Sequence, residues 1–105
     1  NGMVYNLIIT ERAEELLDNL AYHLIYRLKN PQAAEHLMDN ISNVYDRMEE
    51  NPYQFPDCRD EFLKSKGYRE AVAGNMNYIV IFRIEDNDVY ILGVFHDLEN
   101  YKAKL

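Results

Sequence analysis

The stretch YREAVAGNMNYIVIFRIEDNDVYILGVFH, residues 68–96, decides the fold. It contains three runs rich in β-branched and aromatic residues, Tyr68–Ala73, Met76–Ile84 and Val89–His96, the composition that covers a pleated, half-buried surface. Gly74-Asn75 is a tight-turn pair, and the polar Glu85–Asp88 separates the second run from the third. Strands joined by links this short pair antiparallel, so the stretch predicts a three-stranded meander. If Gly74-Asn75 is a two-residue turn, Arg69 stands opposite Val80 and shares its face, while Arg83 points to the other face.

Upstream the period changes from two to about three and a half. Ala13, Leu16, Leu17, Leu20, Ala21, Leu24, Ile25 and Leu28 recur at three- and four-residue steps, the apolar stripe of a helix. Thr10 is its N-cap, followed by Glu11, Glu14 and Glu15 at the positive end of the helix dipole. Asn30-Pro31 stops this helix and starts the next, which runs through Ala34, Leu37, Met38, Ile41, Tyr45 and Met48 and ends before Pro52. So short a link makes the two helices antiparallel. Val4–Ile9, apolar on both faces, reads as a buried strand. Residues 51–67, with two prolines and no clean period, read as a structured loop between hairpin and sheet. The fold class is therefore α+β: a strand, an antiparallel two-helix hairpin and a three-stranded antiparallel meander.

A chain of 105 residues suits one domain, expected over residues 3–105, with Asn1-Gly2 a cloning remnant ahead of Met3. With 48% hydrophobic and 28% charged residues the composition is that of a globular protein. No apolar run approaches the roughly 18 residues of a membrane helix and no signal peptide is evident, which points to the cytoplasm and to no membrane partner. Cys58 is the only cysteine, and His23, His36 and His96 share no ligand spacing, so neither a metal nor another cofactor is expected. Nucleophile elbows, phosphate-binding glycine loops and dinucleotide fingerprints are likewise missing from the sequence.

The formal charge of −7 is uneven. Residues 1–61 hold five cations against twelve anions, residues 62–84 hold Lys64, Lys66, Arg69 and Arg83 against Glu70, and residues 85–105 return to an acidic balance. An anionic ligand is expected near Lys64, Lys66 and Arg69. His96 closes the last strand, where an imidazole can reach a ligand and move a proton; strand histidines more often merely satisfy a neighbouring carboxylate. Arg69 and Arg83 carry the fork that suits phosphate, although most strand arginines pair with carboxylates. Asp57, Asp60 and Glu61 surround Arg59 and read as a solvated charge cluster. Tyr22, Tyr26 and Tyr45 read as an aromatic seam at the core's edge, and Cys58 as an inert thiol.

With these pieces in order, Asn51–Arg69, a proline-containing loop leading into Gly67-Tyr68-Arg69, becomes informative. Together with Tyr78–Ile84, a tyrosine-led strand carrying Arg83, and Val89–His96, a last strand closed by a histidine, it resembles the RelE/ParE superfamily of toxins from bacterial type II toxin–antitoxin modules. The long hairpin is more similar to the ParE branch, whose members resemble inhibitors of DNA gyrase, than to the RelE branch, which cleaves mRNA on the ribosome. Ile79 and Ala71 stand where ribonuclease members tend to have an arginine and a lysine, and Asp97-Leu98-Glu99 puts acid where both branches often have arginines. The resemblance implies first a ParE-like growth inhibitor that binds a protein target such as DNA gyrase, used in plasmid stabilization in such systems. The alternative is a RelE-like mRNA endonuclease in which Arg69 and Lys66 hold the phosphate, Arg83 supports it and His96 is the acid; a third is a non-toxic interaction module. It also implies a cognate antitoxin anchored on Tyr22, Tyr26, Tyr45 and Met48, a target or ligand surface at Lys64, Lys66, Arg69 and Tyr101, and room for a homodimer.

Overall fold

The computed structural model describes residues 4–75, 77–96 and 105. Tyr101 and the acidic Asp97-Leu98-Glu99 lie outside the described residues. Strand β1 (Asn6–Ile9) leads to helix α1 (Glu11–Tyr22), which continues as a π-helical turn over His23–Arg27. Helix α2 (Pro31–Glu50), a 3-10 turn at Pro52–Gln54 and the short helix α3 (Glu61–Ser65) follow, and then strands β2 (Arg69–Ala73), β3 (Tyr78–Glu85) and β4 (Asp88–His96).

The caps are those the local sequence dictates. Thr10 Oγ1 accepts from the Ala13 N–H at 3.2 Å and donates to the Ile91 carbonyl at 2.7 Å, so the residue that starts α1 also ties it to β4. Asn30 Oδ1 accepts from Ala33 N–H at the head of α2, with Pro31 in the first turn. The first helix does not stay α-helical to Leu28: the π turn closes with Leu28 N–H on the His23 carbonyl, and Lys29 then takes a left-handed φ of 52°.

The sheet order is β1-β4-β3-β2. The meander is antiparallel as expected, whereas β1 lies parallel to β4, making the sheet mixed. β1 is also an edge strand rather than a buried one, with Ile8 and Ile9 about two-fifths exposed. The β2–β3 link is four residues, not two: Ala73 faces Tyr78, and Arg69 faces Phe82 instead of Val80. Because the register moves by two residues, side-chain parity is kept, and Arg69 and Arg83 still point to opposite faces. The two-residue hairpin is the other one, Glu85 facing Asp88 across Asp86-Asn87, with Asp86 at φ 55°.

Alternation along β3 builds two clusters, one on each face. Val80 and Phe82 join Leu17, Leu24, Leu37, Ile41, Val44 and Met48 on the hairpin side. Ile79 and Ile81 join Leu63, Cys58, Phe95 and Leu16 on the other. In β4 the alternation is reset by a bulge, since Gly93 faces Ile81 and Ile91 faces Phe82, leaving Leu92 as the extra residue. Val89 and Ile91 before the bulge therefore share a face with Val94 after it. The stripe of α1 is correspondingly split, with Leu17 and Leu24 in the larger cluster, Leu16 in the smaller and Leu20 only half-buried. Residues 51–67 are not all loop, because α3 lays Leu63 onto the second face.

Candidate functional site

Arg69 starts β2 on the hairpin face and is consumed by the loop ahead of it. Its guanidinium donates to the Phe55 carbonyl at 2.5 Å and the Tyr53 carbonyl at 3.4 Å, pairs with Asp57 at 3.1 Å, and lies 5.4 Å from the centre of the Tyr53 ring. Its Nε is buried without a hydrogen-bond partner among the described residues. The next residue, Glu70, points to the other face, is buried, and accepts from both the backbone N–H and Nε of Arg59 at 3.1 and 3.0 Å. Two adjacent strand charges thus fasten residues 53–59 from both sides of the sheet. The cluster is solvated as read, Arg59 and Asp57 being 75% and 53% exposed, and within it Asp57, Asp60 and Arg59 also act as fasteners, Asp60 capping α3 through Leu63 N–H at 2.9 Å.

The expected grouping of His96, Arg69 and Arg83 is not assembled. Arg83 is on the face opposite Arg69, paired with Glu85 at 3.2 Å and stacked 4.1 Å above Tyr90. His96 faces Tyr78 at the far end of the meander, edge-on at 5.4 Å between ring centroids. Arg69 is level with Phe82, four residues along β3 from Tyr78, or roughly 13 Å of strand, and two strands across from β4. A phosphate held by Arg69 is out of reach of His96 in this arrangement. His96 and Tyr78 instead line a cavity of about 330 Å³ with Leu20, His23, Leu24 and Leu28.

The basic segment is divided as well. Lys66 ends α3 with its ammonium 5.3 Å from the Phe62 ring centre and 5.1 Å from that of Tyr68, on the face away from Arg69. Lys64 is exposed on the same short helix. Phe62, exposed beside Lys66, was not among the sequence candidates; its signal is the four-residue spacing to Lys66, which becomes visible only once 61–65 is known to be helical.

On the hairpin, Tyr22 and Tyr26 are 59% and 57% exposed with ring centroids 4.7 Å apart, an outward pair and not a core seam. Tyr45 is half-buried and its hydroxyl is enclosed with no partner among the described residues; burial, with Glu14 adding, pushes its pKa up to about 12. Met48 has no exposed surface, so it cannot anchor a partner as the sequence reading had it: α2 turns this residue straight into the core. Cys58 is buried, and desolvation reinforced by Glu70, Asp60 and Asp57 pushes its pKa up to about 12, keeping it a thiol.

The sequence profile of the ParE toxin of type II toxin–antitoxin systems matches residues 7–101, and the chain belongs to that family. The fold is similar to the chromosomal ParDE toxin–antitoxin system from P. aeruginosa, at TM-score 0.72 and 19% identity over 90% of this chain and 98% of the other. It is also similar to the toxin–antitoxin complex RelBE2 from Mycobacterium tuberculosis, at TM-score 0.63 and 22% identity over 94% and 98%. No curated protein matches the sequence closely enough to count as a relative.

Proposed function

We propose that this toxin arrests growth by binding a protein target, DNA gyrase being the candidate, without chemistry of its own, and that a cognate antitoxin holds it in check. The observation that carries this reading is the dispersal of His96, Arg69 and Arg83 over two faces and two ends of the sheet, with Arg69 committed to the Tyr53–Asp57 loop. Phosphodiester cleavage by a general acid needs the phosphate clamp within hydrogen-bond reach of the proton donor, and here the two are separated. The exposed Tyr22–Tyr26 pair gives an antitoxin tail an apolar anchor on the hairpin.

The test is induction of the chain in a bacterial host, with and without the small open reading frame expected beside it. A DNA-damage response with translation intact, together with loss of supercoiling by purified gyrase on adding the protein, is the expected result. Rapid loss of translation with mRNA cleavage on ribosomes overturns it in favour of the endonuclease. Rescue by the neighbouring frame, weakened at least tenfold in affinity by Tyr26→Ala, identifies the antitoxin and its anchor.

A further inference from the structure

We infer that the outer face of α3 and the start of β2, built from Phe62, Lys66 and Tyr68 with Lys64 on its flank, is a docking surface for an acidic polypeptide segment that carries an apolar side chain. Phe62 and Lys66 are one helical turn apart, and the glycine turn at Gly67, φ 79°, brings Tyr68 back beneath the same ammonium. Lys66 therefore lies against two rings, at 5.3 and 5.1 Å, instead of sweeping through solvent.

What recognises a carboxylate here is an uncompensated cation. Arg12, Arg59, Arg69 and Arg83 each pair with a carboxylate, whereas Lys64 and Lys66 pair with none among the described residues. On a chain of net charge −7 Lys64 and Lys66 give an acidic ligand its charge complement on this face. Phe62, 56% exposed next to Lys66, supplies the apolar contact. A nucleic acid is the poorer fit, because a phosphate chain needs a longer row of cations than these two lysines offer. A protein segment with one or two carboxylates around a hydrophobic residue matches both the charge and the size of the patch. This face lies across the sheet from the hairpin core, so it serves a different contact from the Tyr22–Tyr26 pair. The inference deepens the target-binding reading above, yet the surface is tested without reference to growth arrest.

The probe is the blocked pentapeptide Glu-Phe-Asp-Leu-Glu, titrated into the full 15N-labelled chain at 50 mM salt, with its Gln/Asn counterpart and a pentauridylate as comparisons. Saturable shifts confined to residues 61–70 for the acidic peptide are expected, with affinity at least tenfold weaker for the neutral peptide and for Lys66→Glu. A Lys-Phe-Lys-Leu-Lys peptide should recover binding to Lys66→Glu while avoiding the parent, which separates a charge effect from a folding defect. Equal binding of acidic and neutral peptides, shifts centred on the hairpin, or no shifts at millimolar peptide overturn the proposal. Tighter binding of the pentauridylate to these residues also overturns it and assigns the face to RNA.

Discussion

Arg69 illustrates how one side chain can look like a ligand site and serve as a strut. Its fork suits phosphate, but it also suits two carbonyls and a carboxylate at once, which is what it meets at Phe55, Tyr53 and Asp57. Arg69→Ala should lower stability by roughly 2 kcal/mol, the scale of losing charged hydrogen bonds, and Arg69→Lys should recover little because the ammonium cannot reproduce the fork; urea unfolding measures both. Retained stability in Arg69→Ala would return the residue to the ligand-site candidates. Tyr45 and Cys58 give a pH signature. Both are acids whose pKa is raised in the folded state to about 12, so the stabilisation is complete below their ordinary values near 9 to 10 and is lost as pH climbs from there to about 12. Urea midpoints should hold level to pH 8.5 and fall above it, and Tyr45→Phe, which removes a buried hydroxyl with no partner among the described residues, should flatten part of that fall without lowering stability at pH 7.

At the scale of elements, the bulge in β4 is what lets one strand serve two cores. Gly93 sits at this switch, and a Cβ added there would meet the Phe95 ring at 2.5 Å and Leu16 at 3.2 Å. Gly93→Ala must push Phe95 out of the smaller cluster or lift α1, at a cost on the order of 1–3 kcal/mol. A calorimetric melting temperature within a degree of the parent would show that the bulge region yields freely. The same passage shows why α1 carries leucines on a broad band: Leu16 and Leu17 feed different clusters, and a single sheet-facing stripe would need only one of them.

For the molecule as a whole, β3 contributes alternate residues to both clusters, so neither can be lost while the other keeps its wall. The chain is expected to unfold in one cooperative step over residues 3–105. Since it has nine tyrosines and no tryptophan, tyrosine fluorescence and far-UV circular dichroism should trace superimposable urea curves. Two separated transitions would show that the α3 side opens independently of the hairpin.

The sequence by itself determined the elements whose signal is local. The helical period that starts at Ala13, the Asn30-Pro31 stop and the three β-rich runs each state their own geometry through period and cap, whereas the π turn that closes the first helix before Leu28 does not. The order of Gly67-Tyr68-Arg69, Arg83 and His96 also carried the family, since these residues mark positions along one chain. Only the tertiary structure decided whatever depends on residues far apart in sequence. The four-residue β2–β3 link, the bulge at Leu92 and the parallel pairing of β1 are set by packing across the sheet, and no local pattern encodes them. The candidate site followed the same division. Charge along the chain grouped Lys64, Lys66 and Arg69, but the end of α3 and the Gly67 turn set Lys66 against Phe62 and Tyr68 on one side, while Arg69, opening β2, is spent on the loop at the other.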